Sequence, residues 1–291
     1  MSYAQAILLG IIQGLTEFLP VSSSGHLAIV QHWMRLDAES PPMILFDVAT
    51  HIGTLLAVVL VFWTTFLRYF RRLMGELRTP TPLPNPNRSR PWFVRNAAWR
   101  VLILGIVASV PTGVIGLRFK PQLKAAFGNP VAIGVALLLT GVLLFVSGKV
   151  PRPRTPWRRF GLLGALLVGL AQGLAITPGV SRSGATICTA LLCGLKRRWA
   201  AEFSFFIAFP AICAAALSEI KDALELPGEQ LDAIPVGPIV IGSVVAAVVG
   251  YVALRMLLVA VRRAKLMYFS YYVWALGLLV IVLGTTGRLG P

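Results

Sequence analysis

Six long stretches of apolar residues constrain the fold of this 291-residue chain more than any other feature. Each is close to the roughly 20 residues that a helix needs to cross the hydrocarbon core of a bilayer. They lie at residues 44–66, 99–117, 130–148, 202–220, 236–259 and 267–287. A water-soluble domain of this length does not tolerate so many such stretches. The sequence therefore predicts an all-α, polytopic membrane protein with six transmembrane helices.

The distribution of charge favours a membrane protein over one that binds nucleic acid. The chain is 56% hydrophobic and only 13% charged, yet its net charge is +16. The basic residues lie in short segments between the apolar stretches, which is the positive-inside pattern of cytoplasmic loops. We therefore expect a multi-pass protein of an inner (plasma) membrane, in contact with membrane lipids and without a nucleic-acid partner.

A motif of fifteen residues occurs twice in the chain, 159 residues apart. Residues 13–27 read QGLTEFLPVSSSGHL, and residues 172–186 read QGLAITPGVSRSGAT. Seven of the aligned positions are identical. The first copy carries Glu17 and His26, whereas the second carries Arg182 and a threonine at its end. The repeat therefore predicts one backbone scaffold with two different sets of chemical groups.

Each copy lies in a segment that an unbroken membrane helix does not fit. Segments 4–34 and 160–196 have an apolar arm, a polar stretch rich in Pro, Gly and Ser, and a second apolar arm. A helix over residues 4–18 would be about 22 Å long, short of a ~30 Å hydrocarbon core. Irregular backbone survives at that depth only inside protein or beside a wet cavity. We predict two re-entrant helical hairpins, with one kinked span per motif as the alternative.

The charged segments predict how the chain is threaded through the membrane. Basic segments, which should be cytoplasmic, lie at 67–98, 149–159, 196–198 and 262–265. The acidic segment at 219–232 should be external. The first hairpin then enters from outside and the second from the cytoplasm. Residues 1–150 and 151–291 become inverted repeats, each a hairpin plus three spans, with both termini outside. Such repeats bring broken-helix tips together near the midplane.

The first tip carries the groups of a nucleophilic centre. Ionisable residues inside a membrane cost about 2.5–3.5 kcal/mol each and are functional candidates for that reason. Gln13 and Glu17 share a helical face, and Ser23 precedes His26 by three residues. A hydroxyl beside an imidazole is the elementary nucleophile–base pair, and Glu17 could orient the imidazole or hold a divalent cation. Gln13 and Ser22 are supporting candidates, with backbone satisfaction or close packing as the alternatives.

The second tip carries groups that bind an anion. Ser181, Arg182 and Ser183 begin a half-helix, whose free N–H groups and positive dipole end favour phosphate. Arg182 adds a planar, bidentate donor, and Thr186 follows on the same face. A nucleophile on one tip and an anion cradle on the other suit phosphoryl transfer, which needs mainly positioning and charge stabilisation.

These residues resemble the signature of a known family. Gln13-x-x-x-Glu17 and the runs 19–26 and 178–186 are similar to motifs of bacterial undecaprenyl-pyrophosphate phosphatases of the bacitracin-resistance type. The resemblance implies an inner-membrane hydrolase that removes one phosphate from the C55 polyprenyl pyrophosphate carrier. Its product serves peptidoglycan and other envelope synthesis. The resemblance also implies a divalent cation, Mg²⁺ or Ca²⁺, and a homodimer.

The family's functional residues carry over to Glu17, Ser23, His26, Ser181, Arg182 and Thr186. The family's acidic motif has Glu or Gln at its first place, which is Gln13 here, so Glu17 is the single carboxylate for metal or base work. In the preferred mechanism, Ser23 attacks the terminal phosphate while Glu17 and His26 manage its proton. The second tip holds the transferred group. Attack by His26 through a phosphohistidine is the alternative, and the sequence does not separate the two.

A secondary transporter or polyprenyl-phosphate flippase is the rival class. Inverted repeats with broken helices occur in many transporters, and a carrier would use the same anion site. A carrier has no use for Ser23 beside His26, which favours the enzyme. Asp47 and His51, four residues apart at the head of the next span, either support the tips or form a metal pair, the less favoured alternative.

Overall fold

The structure is a computed structural model, and it describes residues 1–37, 40–78, 97–150, 155–224 and 235–287. These residues form helices joined by turns, without a β-strand among them beyond an isolated bridge between Thr155 and Leu195. The helices are α1 (Tyr3–Phe18), α2 (Ser23–Trp33), α3 (Pro41–Arg78), α4 (Ala97–Arg118), α5 (Lys120–Phe127), α6 (Pro130–Gly148), α7 (Leu162–Leu174), α8 (Arg182–Leu192), α9 (Arg197–Leu224), α10 (Val236–Arg262) and α11 (Tyr268–Thr285), with a 3₁₀ turn at Trp157–Arg159. The prediction of an all-α fold is confirmed.

Six of these helices are long and apolar enough to cross a membrane, namely α3, α4, α6, α9, α10 and α11. They correspond to the six predicted spans, so the chain is a multi-pass membrane protein. Two of them extend beyond the apolar stretches: α3 continues to Arg78 and α9 begins at Arg197. The extensions stay helical because arginine is a good helix former even where hydrophobicity ends.

Each motif region folds as two short helices around a turn. α1 and α2 flank residues 19–22, and α7 and α8 flank residues 175–181. The second turn depends on Gly179, whose φ of +90° lies in the left-handed region. A side chain there would collide with the carbonyl oxygen of Ile133. Helices of 11 to 16 residues are too short to cross a bilayer. The helix–turn–helix form is present, and its insertion as a re-entrant hairpin stays a prediction.

Helices at equivalent places in the two halves pack in equivalent ways. α1 packs against α10, and α7 packs against α4. Gly10 and Gly169 are 159 residues apart, like the motifs, and each allows close backbone approach: Gly10 to Gly242 and Gly169 to Ala108. α6 and α11, the last span of each half, pack against each other. This packing is what two halves related by a twofold axis require, while the division near residue 150 and the inversion stay predictions.

An aromatic cluster fixes the first tip against the second half of the chain. Phe18, at the end of α1, is 2% exposed and meets the ring of Phe205 on α9 edge-on, with 5.9 Å between centroids. The same Phe205 ring lies 5.6 Å from that of Phe62 on α3. Aromatic pairs at these distances add to the apolar area that they bury. Glu17, the residue before Phe18, is therefore held in place by this aromatic cluster.

Candidate active site

Equivalent serines of the two motif copies cap the helix that follows each turn. Ser22 Oγ accepts a hydrogen bond from Gly25 N (3.4 Å) at the start of α2, and Ser181 Oγ accepts one from Gly184 N (3.1 Å) at the start of α8. Side-chain caps of this kind satisfy a free N–H group at a helix N-terminus. Identical residues therefore cap the two helices, which leaves the divergent positions for chemistry.

Glu17 is the point at which the two tips meet. It lies in the last turn of α1 and is 6% exposed. Its Oε2 accepts hydrogen bonds from Ser23 Oγ (2.7 Å) and Gln13 Nε2 (3.1 Å), and its Oε1 accepts one from Arg182 Nη2. Ser23 and Arg182 occupy the same position in the aligned copies. Divergence at that position thus supplies partners to both oxygens of one carboxylate.

The ion pair between Glu17 and Arg182 compensates the charge of the buried carboxylate. A carboxylate taken out of water costs several kcal/mol unless it is paired and hydrogen-bonded. The side chain of Arg182 is 26% exposed, against 3% for Glu17. The guanidinium therefore neutralises the buried carboxylate while part of it remains accessible to an anionic ligand.

The imidazole of His51, on α3, also lies near the Glu17 carboxylate. Its Nε2 lies 3.8 Å from Glu17 Oε2, and its Nδ1 donates to the carbonyl of Asp47 at 2.7 Å. The carboxylate of Asp47 instead accepts from Gln31 Nε2 at 3.3 Å. The two side chains thus have different partners, so the structure does not favour the metal pair and places His51 in support of Glu17.

His26 has partners other than the predicted serine. Its Nδ1 lies 2.8 Å from the carbonyl oxygen of Ser22, and its Nε2 lies 2.7 Å from Tyr272 Oη. Because a carbonyl only accepts, Nδ1 carries the proton and Nε2 accepts from the tyrosine hydroxyl. The two rings are stacked, with 5.7 Å between centroids. Ser23 and His26 share the tip, but the serine hydroxyl is bonded to Glu17.

The polar residues of the second tip are largely turned inward. Ser181 donates its N–H to Thr140 Oγ1 at 3.1 Å, and Ser183 Oγ reaches the carbonyl of Leu19 at 3.4 Å, which links the tips a second time. Thr186 is fully buried. Its hydroxyl donates to the carbonyl of Arg182 at 2.8 Å. Thr186 is thus placed to hold the backbone of the arginine rather than to face the carboxylate.

Three residues that sequence reasoning missed complete this network. Tyr272 on α11 bonds His26, Thr140 on α6 bonds Ser181, and Ser204 on α9 bonds the hydroxyl of Thr186. Hydroxyl residues are common in membrane helices, where they serve packing and interhelical bonds. A single sequence offers no signal that distinguishes these three from the others.

The oxygen atoms around Glu17 suit a hard divalent cation. Mg²⁺ is bound through one or two carboxylates and substrate phosphates, and it keeps several waters. Gln13 Oε1 is buried beside Glu17 and has no hydrogen-bond partner among the described residues. In the part of the chain that the structure describes, no group of three His, Cys, Asp or Glu could hold a metal by itself. The residues therefore fit a cation that takes most of its ligands from a bound phosphate.

The fold and this centre together define a class of protein. The chain is a helical, multi-pass membrane protein with a partly buried serine–carboxylate–arginine cluster at the junction of two repeated motifs. The model of one family, described as bacitracin resistance protein BacA, matches residues 6–279. The chain belongs to this family, as its motifs predict, and the matched region includes both tips.

Curated relatives match the chain over nearly its whole length. A protein of Halorhodospira halophila, named undecaprenyl-diphosphatase, is 41% identical over 285 residues, which is 95% of this chain and 96% of the relative. Proteins of the same name in Carboxydothermus hydrogenoformans and Treponema denticola are 37% and 41% identical. The match to the Carboxydothermus protein covers 99% of this chain and 100% of the relative, and the match to the Treponema protein covers 96% of each.

Proposed function

We propose that this chain is a membrane-embedded phosphatase that hydrolyses undecaprenyl pyrophosphate to undecaprenyl phosphate and inorganic phosphate. The relatives' name and the family description point to this substrate. One geometric observation carries the proposal: Glu17 accepts from the hydroxyl of Ser23 on one tip and from Arg182 on the other. The nucleophile Ser23, its base Glu17 and the anion-binding side chain of Arg182 thus form one hydrogen-bonded unit.

In the proposed first step, Ser23 Oγ attacks the terminal phosphorus and its proton passes to Glu17. Glu17 Oε2 already accepts a hydrogen bond from this hydroxyl, at 2.7 Å. The bond from phosphorus to the bridging oxygen breaks, and undecaprenyl phosphate leaves. Water then attacks the phosphorus of the phosphoserine, and the bond from phosphorus to Ser23 Oγ breaks. Glu17 returns its proton to Ser23 Oγ, and the hydroxyl and remaining proton of the water leave in inorganic phosphate. Overall, one water is consumed for each pyrophosphate bond broken.

Arg182 stabilises the charge of the transferred group in this scheme. Its planar guanidinium has five donors and matches phosphate geometry, and it is the accessible partner of the ion pair with Glu17. Ser181 and Ser183 shape the helix start beside it, and Thr186 fixes its carbonyl. Preorganised charge of this kind is usually the largest single contribution to catalysis.

A divalent cation, Mg²⁺ or Ca²⁺, is part of the proposal. Glu17 and the unpartnered Oε1 of Gln13 would hold it together with pyrophosphate oxygens. It would neutralise phosphate charge as a Lewis acid. The residues of the chain keep the roles described above.

The route through His26 is less well supported by the geometry. His26 Nε2, the atom that would attack phosphorus, accepts a hydrogen bond from Tyr272. The tyrosine would have to move before a phosphohistidine forms, whereas Ser23 is already hydrogen-bonded to its base, Glu17. We therefore assign His26 to positioning of the first tip and to proton exchange with Tyr272.

Phosphate release from undecaprenyl pyrophosphate by the purified protein tests the proposal. We expect release that a chelator abolishes and that Ser23→Ala and Arg182→Ala each reduce at least about 100-fold. Ser24→Ala is the matched control, because that hydroxyl contacts Ser22 rather than Glu17. Lipid transport without phosphate release would show the flippase instead. A Ser23→Ala protein that keeps full activity would refute the serine route.

The cellular setting is proposed on the same resemblance. A bacterial inner membrane, recycling of the lipid carrier for cell-wall synthesis, and a homodimer are its remaining elements. Crosslinking of the protein in native membranes tests the dimer. Crosslinked samples that contain only the single 31.4 kDa chain would contradict the dimer.

A further inference from the structure

A pocket lined by aromatic side chains lies away from the candidate active site, between α3, α9 and the 3₁₀ turn. Its lining includes Phe66, Tyr69, Trp157, Trp199 and Phe203. The Trp157 ring lies 6.1 Å from that of Trp199 and 5.4 Å from that of Phe203. The pocket is therefore a narrow cleft with a mainly aromatic lining, which suits part of a hydrocarbon chain.

Trp157 presents a polar atom that the described chain leaves unsatisfied. The residue is 8% exposed, and its Nε1 is buried without a hydrogen-bond partner among the described residues. The indole nitrogen is a donor only, and a buried donor without an acceptor destabilises the folded state. The pocket therefore calls for a ligand with an acceptor at the depth of Trp157.

A basic cavity adjoins the aromatic pocket and shares Phe62 and Glu202 with it. Its other lining residues include Arg197, Arg198 and Arg262. Arg198 is paired with Glu202, with 2.7 Å between Nε and Oε1. One carboxylate against three guanidinium groups leaves an excess of positive charge. The combined groove thus has a cationic mouth and an apolar interior.

We propose that this groove binds an anionic glycerophospholipid. The phosphate lies against Arg197 and Arg262, an acyl-ester carbonyl accepts from Trp157 Nε1, and part of the acyl chain enters the aromatic pocket. Basic pockets between membrane helices at the cytoplasmic surface bind anionic head groups, and the charge pattern predicts that this end of the molecule is cytoplasmic. A polyprenyl phosphate has no acceptor below its phosphate, so the Trp157 donor favours a diacyl lipid.

Native mass spectrometry of the purified full-length protein, titrated with phosphatidylglycerol and with phosphatidylcholine, tests the head-group contact. We expect phosphatidylglycerol to bind more tightly, and Arg197→Gln with Arg262→Gln to weaken that binding by about an order of magnitude. Arg71→Gln with Arg72→Gln is the matched control, since it removes the same charge from exposed residues outside the groove. Equal losses in the two double variants, or equal binding of the two lipids, would overturn the proposal.

A second comparison tests the ester contact and separates the two lipid sources. The wild type should bind diester phosphatidylglycerol about fivefold more tightly than its diether analogue, which lacks the carbonyls. Trp157→Phe keeps an aromatic ring, and it should abolish this preference without a change in melting temperature. A wild type that does not distinguish ester from ether would refute the assignment of Trp157. Undecaprenyl phosphate displacing the phospholipid at lower concentration would show that the occupant is wrong. None of these outcomes depends on phosphatase activity.

Discussion

At the level of single residues, the molecule depends on one carboxylate that serves both halves of the chain. The sequence predicted that the tips bearing Glu17 and Arg182 meet, but it assigned Arg182 to phosphate and did not predict the ion pair between them. The partner of His26 was not predicted either, because Tyr272 is 246 residues away and its approach depends on how α11 packs. The repeat in the sequence indicates which segments meet, whereas the partner of each polar group depends on how the helices pack.

A double-mutant cycle tests the pair that joins the tips. Glu17→Gln or Arg182→Gln alone leaves a charge without its partner, and each should destabilise the fold by about 3 kcal/mol. The double variant should lose less than the sum of the two, by about 1–3 kcal/mol. Unfolding free energies of the detergent-purified protein, measured by denaturant titration, give the coupling. Strict additivity would show that the two side chains act independently.

The hydroxyl of Tyr272 is a separate test of how His26 is held. Tyr272→Phe removes the donor to Nε2 but keeps the stacked ring, so the turnover number should fall about five- to tenfold while the melting temperature stays unchanged. Tyr271→Phe is the control, because that ring packs against Trp274 instead. Steady-state kinetics of phosphate release compare the two variants. Equal activities would show that the Tyr272 hydroxyl is not needed to hold His26 in place.

At the level of helices, the length of the apolar stretches predicted six spans, and the Pro and Gly residues of the two motifs predicted two interrupted segments. The ends of α3 and α9 were not predicted, because a membrane pattern detects apolar residues and does not detect helix that continues beyond them. Pairing between helices was predicted only at the tips. The contact of α7 with α4 depends on small residues whose neighbours the sequence does not reveal.

Glycine at the α7–α4 contact provides a test of that packing. A Cβ at Gly169 would collide with the carbonyl of Ala108, whereas one at Gly113 would meet nothing within 4 Å. Gly169→Ala should therefore destabilise the protein by about 1–3 kcal/mol. Gly113→Ala should be neutral or slightly stabilising, since alanine favours helix. Thermal unfolding followed by tryptophan fluorescence compares the two. Similar melting temperatures would contradict the close contact.

At the level of the whole molecule, the predicted inversion of the second half specifies on which side of the membrane each loop lies. With Cys188, Cys193 and Cys213 replaced by alanine, single cysteines at Thr286 and Ala264 should differ in labelling. A membrane-impermeant thiol reagent should label Thr286→Cys in intact spheroplasts and should label Ala264→Cys only after lysis. The reverse pattern would invert the topology, and the hairpins would then enter from the opposite faces.

The link between Glu17 and Arg182 also sets an order of events during synthesis. The two residues are 165 positions apart, so at roughly 5–20 residues per second the ribosome makes the carboxylate about 10 to 30 s before its counter-charge. During that interval an ionised Glu17 has no guanidinium to accompany it into the bilayer. If the first tip inserts as a re-entrant hairpin, it must then wait near the surface, or enter with its carboxyl protonated, until the second tip has been made. The cluster around Glu17 thus forms only after residue 182 has been synthesised.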